Sequence, residues 1–167
     1  MDNKISQANA IAKIRNQECF GALDSDGIWR ISIKEYTPLV CMALHDGSGF
    51  PLELEPHCLL APAERIFEED PHTAELIVSQ PIVLSGLDSR YFYDLNRPAK
   101  HCDETTVFGR RVWKQDVHPL SSLAKQRHET FYALFKVLVD KLVELFGYCL
   151  IIDIHSYNYS RIDRETP

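Results

Sequence analysis

Two apolar stretches of this chain end abruptly in a histidine. Residues 39–44 lead directly into His45, and residues 149–152 lead into Asp153 and His155. Asp153 and His155 are two residues apart, so on a strand both side chains lie on the same face. Two histidines and one carboxylate form a common ligand set for catalytic zinc, which leaves one position for water. The alternative is a purely structural role, in which these polar groups only cap buried strands where the strands meet water.

A third polar cluster follows another stretch of strand-like composition. Residues 90–95 are rich in aromatic residues and end in Asn96 and Arg97, just before Pro98. If the three strands were parallel neighbours, their carboxyl ends would meet at one edge of a sheet. An arginine there could bind a substrate carboxylate through two hydrogen bonds, or stabilise an oxyanion. A simple turn before Pro98 is the alternative.

The elements that would position these groups follow from hydrophobic periodicity. The sequence predicts a short helix within residues 1–20, a helix over 63–78 broken near Pro71, and a long helix over 119–146 ended by Gly147. Strands are predicted over 27–34, 39–44, 81–84, 90–95 and 149–156, the last of them buried on both faces. Residues 99–118 are predicted to form a long, irregular surface loop. The fold class predicted is α/β, with a mixed, largely parallel sheet flanked by helices.

Composition narrows the classes of function. The chain has 167 residues, of which 45% are hydrophobic, and a net charge of −6, so a broad nucleic-acid surface is not expected. No run approaches the ~18–20 apolar residues of a membrane span, and the N-terminus lacks a signal core, so a cytoplasmic location is expected. The five cysteines include no C-x-x-C pair, which argues against a cysteine zinc site.

The same motifs resemble the N-formylglutamate amidohydrolase family, which is related in fold to the zinc carboxypeptidases and the succinylglutamate desuccinylases. The similar segments follow one another in the same order along the chain. They are Leu44-His-Asp-Gly-Ser48, Glu69-Asp-Pro-His-Thr73, Ser89-Arg-Tyr-Phe-Tyr-Asp-Leu-Asn-Arg-Pro98, Arg127-His128, and Gly147 through Asp153-Ile-His-Ser-Tyr157.

The resemblance implies roles for individual residues. His45 and His155 would be metal ligands, Asn96 and Arg97 would bind a substrate carboxylate, and Arg90 is a weaker candidate for polarising the scissile carbonyl. The third ligand departs from carboxypeptidase usage, because Ser48 stands where the carboxypeptidases have a glutamate. Asp70 is the predicted third ligand; the alternatives are Glu69, His72 and Glu53.

The function implied is zinc-dependent hydrolysis of a linear amide of the N-formyl or N-acyl amino acid type. A non-catalytic binding or regulatory form of the fold and a carboxypeptidase-like metallopeptidase are the alternatives. Relatives carry a general-base glutamate and further strands beyond the His-Ser strand, and Glu165 is a poor match for that base. We therefore expect residues 1–167 to form a single, incomplete domain that binds a small acyl amino acid and either self-associates or lacks a C-terminal segment.

Overall fold

The computed structural model of the chain describes residues 3–66, 69–107 and 109–156. In chain order the elements are β1 (Asn3–Ile5), α1 (Gln7–Arg15), β2 (Phe20–Asp24), β3 (Trp29–Ile33), β4 (Leu39–Ala43), a 3₁₀ turn (Leu52–His57), α2 (Pro62–Ile66), α3 (Thr73–Leu76), β5 (Ile82–Gly86), a second 3₁₀ turn (Ala99–His101), β6 (Thr106–Val107), β7 (Arg110–Arg111), α4 (Ser121–Phe146) and β8 (Leu150–Asp153).

Six of these strands form one mixed sheet in the order β1-β2-β3-β5-β4-β8. The pairs β1–β2, β4–β5 and β4–β8 are parallel, whereas β2–β3 and β3–β5 are antiparallel. Strands β6 and β7 form a separate small hairpin. The predicted fold class, a mixed and largely parallel α/β sheet flanked by helices, is confirmed.

Helices α1 and α4 cover one face of the sheet. The buried residues of α4 recur every three or four positions, and the helix ends at Gly147, whose φ of 80° is a left-handed conformation that suits glycine. Phe131, Leu134 and Leu138 pack into the main core with Trp29, which is fully buried. None of the described helices is long and apolar enough to cross a membrane.

The opposite face is covered less completely. Cys41, Ala43 and Val83 form a small second core with Ile77, which directly follows α3. Strand β8 lies at the sheet edge, and its side chains are exposed, with Leu150 at 56%. The prediction that this strand is buried on both faces is therefore wrong for the described residues, since Ile151 and Ile152 are also 41% and 39% exposed.

The predicted strand over residues 90–95 is also wrong, because the segment forms turns. The backbone N–H groups of Phe92 and Tyr93 donate to the Ser89 carbonyl, and that of Tyr91 donates to the Ser89 hydroxyl. Asp94 then accepts from the backbone N–H of Asn96. These local hydrogen bonds take the place of a strand ladder.

The helix predicted over 63–78 is two short helices, α2 and α3, with irregular backbone between them in residues 69–72. Pro71 lacks a backbone donor, and His72 adopts a left-handed φ of 68°, so no helix continues through this point. Strands β1 and β2 were not predicted. The region 99–118 is not wholly irregular either, since it contains β6 and β7.

Candidate metal site

Parallel pairing of β4 with β8 brings the two strand-end histidines together. His45 lies just beyond β4 and His155 just beyond β8, at the carboxyl edge of the sheet, where α/β proteins bind their ligands. Asp70 joins them because its backbone N–H donates to the His45 carbonyl at 3.0 Å. One potential ligand atom from each of the three residues lies within 4.8 Å of the others. The structure thus clusters all three residues that were predicted as ligands.

The His45 ring is oriented by Asp94. Its Nε2 lies 2.8 Å from Asp94 Oδ1, and because a carboxylate only accepts, Nε2 carries the proton. Its Nδ1 faces Asp70 Oδ2 at 3.4 Å and has no hydrogen-bond partner among the described residues. His45 is 1% exposed, so water does not solvate this nitrogen.

The His155 ring repeats this arrangement. Its Nε2 lies 2.8 Å from Asp153 Oδ2, and its Nδ1 lies 2.9 Å from Asp70 Oδ2. Asp153 therefore contacts the outer nitrogen of His155, a position from which it orients the ring. The Ser156 hydroxyl donates to the other oxygen of Asp70 at 2.9 Å. Each of the three cluster residues thus has an outer partner, as metal ligands commonly do.

This arrangement directs three acceptor atoms at one point. Each Nδ1 faces the carboxylate of Asp70, at 3.4 Å from His45 and at 2.9 Å from His155. Acceptors that face one another repel unless a proton or a metal cation lies between them. Two imidazole nitrogens and one carboxylate oxygen are the donor set that zinc prefers in catalytic sites. The residues therefore fit a metal ion.

The electrostatics of the cluster favour a cation. Burial lowers the pKa of His45, but Asp70 and Asp94 outweigh burial and raise it above its ordinary value. Burial raises the pKa of Asp70, yet its contacts with His45, His155 and Ser156 bring it to about 2. The pKa of Asp94 is also lowered, because His45 and Arg90 outweigh its burial. Both carboxylates are ionised at neutral pH, and their charge attracts cations.

Asp94 is the site residue to which sequence reasoning assigned no role. It accepts from His45 and pairs with Arg90, whose Nη2 lies 3.0 Å from Asp94 Oδ2. Arg90 itself is buried and lies close to the cluster through this shared carboxylate. The sequence places Asp94 in the polar cluster before Pro98. Its contact with His45 could not be predicted from that position, because the contact depends on how the turn folds.

Asn96 and Arg97 lie outside the three-residue cluster. Both are exposed, and their backbone N–H groups donate to Asp94, which forms the turn. Arg97 also lines a cleft that Arg90 and Asp94 share. The turn before Pro98 is thus real, and Arg97 is exposed where it lines this cleft.

The alternatives to Asp70 point elsewhere. Glu69 is buried and accepts a hydrogen bond from the Ser89 hydroxyl, and burial raises its pKa. His72 is exposed and lies 2.9 Å from Glu75, while Glu53 is exposed in the first 3₁₀ turn. Within the described residues, neither these two nor Glu69 join the cluster of His45 and His155.

The remaining histidines differ in their burial. His118, predicted to lie on the surface, is 4% exposed, and its Nε2 donates to the Phe92 carbonyl at 2.7 Å. His128 is buried on α4, and its Nε2 donates to the Arg97 carbonyl at 2.9 Å. His101, in the segment predicted to lie at the surface, is exposed as expected, and His57 is also exposed. Glu165 lies outside the described residues.

Two glycines allow the loop after β4 to approach the loop after β5. A Cβ at Gly47 would lie 2.1 Å from the Leu87 carbonyl carbon, and one at Gly49 would lie 2.9 Å from the Leu87 oxygen. The backbone N–H of Gly49 donates to the Leu87 carbonyl. The Asp46 carboxylate accepts from the backbone N–H of Ala74, so it holds α3 and is not part of the cluster. The loop that carries His45 is therefore fixed on both sides.

An α/β sheet with two histidines and an aspartate at its carboxyl edge defines a protein with a candidate metal site. The family model for N-formylglutamate amidohydrolase matches residues 37–166, which include all three cluster residues. The chain belongs to the N-formylglutamate amidohydrolase family.

A solved structure supports the fold. The chain is similar to the crystal structure of N-formylglutamate amidohydrolase from Ralstonia eutropha JMP134, with a TM-score of 0.69 and 19% sequence identity. The similarity covers 84% of this chain and 62% of that one, so the chain spans less than two thirds of the length of this relative. At this identity the comparison concerns the fold alone. Among curated proteins, none matches the chain.

Proposed function

We propose that this chain carries the metal-binding part of a hydrolase that acts on linear amides of the N-formyl or N-acyl amino acid type. The observation that carries the proposal is the convergence of His45 Nδ1, His155 Nδ1 and Asp70 Oδ2, with the opposite nitrogen of each ring bound to a carboxylate. Membership in the N-formylglutamate amidohydrolase family supports the substrate class, a small acyl amino acid.

Zinc is the proposed cofactor, and His45, Asp70 and His155 would hold it. The chemistry that zinc supplies in such sites is acidification of a water molecule and polarisation of a carbonyl oxygen. Asp94 and Asp153 would keep each imidazole in the tautomer that leaves Nδ1 available. Ser156 would hold Asp70 in the orientation that directs Oδ2 at the histidines.

Arginine residues beside the cluster suit an anionic substrate. The exposed Arg97, assisted by Asn96, would bind the substrate carboxylate. Arg90 is close to the cluster through Asp94, so its positive charge would stabilise an oxyanion that develops at the scissile carbonyl. Arg97 would thus bind the substrate, and Arg90 would stabilise the charge that develops during the reaction.

Metal binding without hydrolysis is a second candidate, and one observation favours it. The carboxylates of Asp70 and Asp94 have lowered pKa values and already accept hydrogen bonds, so neither is an effective proton acceptor at neutral pH. Glu69 is buried against the Ser89 hydroxyl. A chain that binds metal and leaves acyl amino acids intact would fit this candidate.

Metal content tests the first half of the proposal. We expect about one zinc ion per chain by elemental analysis, and we expect His45→Ala or His155→Ala to weaken zinc affinity by at least about 100-fold, more than loss of an outer partner costs. His72→Ala is the matched control, because His72 also contacts a carboxylate but lies outside the cluster. A wild-type chain without stoichiometric metal would contradict the proposal.

Hydrolysis of N-formylglutamate and related acyl amino acids tests the second half. Release of formate or another acyl acid by the zinc-loaded chain, lost in Arg97→Ala through a higher KM, supports the amidohydrolase. Zinc binding with no cleavage of any of these amides supports the second candidate instead.

A further inference from the structure

Helix α4 contacts the loop over residues 88–97 at its beginning and at its end. At the beginning, Arg127 Nε lies 2.7 Å from Asp88 Oδ2, and its Nη2 donates to the carbonyls of Asp26 and Gly27 at 3.1 Å. Tyr93 donates to the same Asp88 carboxylate at 2.6 Å. The start of the loop is therefore bound to α4 and to the turn between β2 and β3.

The end of the loop is held by the next residue of α4 and by a residue one helical turn beyond it. The Tyr132 hydroxyl donates to the Leu95 carbonyl at 2.5 Å, and His128 Nε2 donates to the Arg97 carbonyl at 2.9 Å. His128 and Tyr132 are four residues apart on one face of the helix, with ring centroids separated by 4.7 Å. Two neighbouring side chains thus bind two carbonyls of the same turn.

This turn sets the position of Asp94. Asp94 Oδ1 lies 2.8 Å from both the backbone N–H of Asn96 and Nε2 of His45, so a single oxygen joins the turn to the histidine. A displacement of the turn would move this oxygen away from the His45 ring. The orientation of His45 therefore depends on the hydrogen bonds that His128 and Tyr132 of α4 donate to the turn.

We propose that Tyr132, together with His128, is a positioning residue for the metal site: it fixes the turn that holds Asp94 against His45. The inference rests on the proposed function, because it concerns the same three ligands. It extends the site to a helix that contributes no ligand. Tyr132 acts at a distance, through the Leu95 carbonyl, the turn and the Asp94 carboxylate in succession.

The variant Tyr132→Phe tests this role because it removes the hydroxyl and keeps the ring that packs on Phe131 and Phe135. We expect the zinc Kd, measured by competition with a chromophoric chelator, to rise about fivefold, the change that corresponds to one lost hydrogen bond. The variant His128→Gln, which keeps an N–H donor, is expected to show a smaller rise.

Tyr36→Phe is the matched control. The Tyr36 hydroxyl also donates to backbone carbonyls, those of Ile14 and Glu18, but it lies at the amino end of β4, away from the cluster. We expect this variant to lose thermal stability without a change in zinc Kd. A purely structural role for Tyr132 would make the two variants alike in Kd.

A double-mutant cycle shows whether the effect passes through Asp94. In an Asp94→Asn background we expect Tyr132→Phe to add no further loss of zinc affinity, because the link is already broken. Full additivity of the two losses would overturn the proposal.

The NMR signal of the His45 Nε2 proton separates this inference from the proposed function, since it is read in metal-free protein. We expect Tyr132→Phe to shift that signal and Tyr36→Phe to leave it unchanged. If the wild-type chain takes up no zinc, the proposed function fails while the shift still supports the positioning role. An unmoved signal overturns that role, whatever the metal content.

Discussion

His45 and His155 make the same contacts but rest on different parts of the sheet. Each has Nε2 on an aspartate and Nδ1 toward Asp70, yet the His45 side chain is 1% exposed and the His155 side chain 33%. His45 follows the central strand β4, which has parallel neighbours on both sides. His155 follows the edge strand β8. The same ligand geometry is therefore rigid on one side and lightly supported on the other.

The surroundings explain this difference. The loop after β4 is packed through Gly47 against the backbone of Leu87, and Asp94 is held by hydrogen bonds from the turn and from Arg90. Near His155, the strand residues Ile151 and Ile152 are 41% and 39% exposed. Half of the candidate site is thus preorganised by the core, and the other half depends on one strand pairing and on contacts within the cluster.

The largest loss of stability is expected in the loop that carries His45, where the packing is tightest. Gly47→Ala places a Cβ against the Leu87 backbone, which cannot move without disturbing β5, so we expect a loss of about 3 kcal/mol in the free energy of unfolding. Gly21→Ala is the control, because a Cβ there meets nothing within 4 Å. Equal urea midpoints for the two variants would show that the His45 loop is not rigid.

A second pair of variants compares the two aspartates directly. We expect Asp94→Asn to weaken zinc affinity about 100-fold and Asp153→Asn only about tenfold, within the range for outer partners of metal ligands. The reason is exposure: the Asp94 side chain is 8% exposed and the Asp153 side chain 26%, so water can replace part of what Asp153 provides. Equal losses of zinc affinity in the two variants, measured by zinc titration, would contradict the difference in support that we infer between His45 and His155.

The smallest effect concerns the strands themselves. Val40 and Ile151 face each other in the β4–β8 ladder, but Val40 is fully buried. We expect Val40→Ala to lower the free energy of unfolding by about 2 kcal/mol and Ile151→Ala by about 1 kcal/mol or less, because the second leaves no closed cavity. Chemical denaturation measures both. A larger loss at Ile151 would mean that β8 is covered in solution.

The histidines of the site were predictable from sequence, but the support of the site was not. His45 and His155 each end an apolar run, and parallel pairing of those runs was enough to bring them together. Asp70 has no comparable local signal, since it stands in an acidic segment typical of a solvated surface. Its prediction came from the resemblance to the family.

Two errors in the predicted fold share one physical cause. The aromatic residues of 90–95 have the composition of a strand, yet they are buried in turns beneath α4, and composition does not distinguish these environments. Apolar residues 150–152 predicted a strand correctly but not its exposure, because burial depends on neighbours that the local sequence does not specify. The role of Asp94 was missed for the same reason: it depends on tertiary contacts.

The pairing of β4 with β8 also has a consequence for how the chain folds. These strands are neighbours in space although they are more than a hundred residues apart in sequence, whereas β2 and β3 form a local hairpin. Closing the longer loop costs more conformational entropy and raises the contact order of this part of the sheet. The two histidines thus meet across one of the most distant pairings in the chain, and a spectroscopic probe bound between them would report on this long-range step of folding.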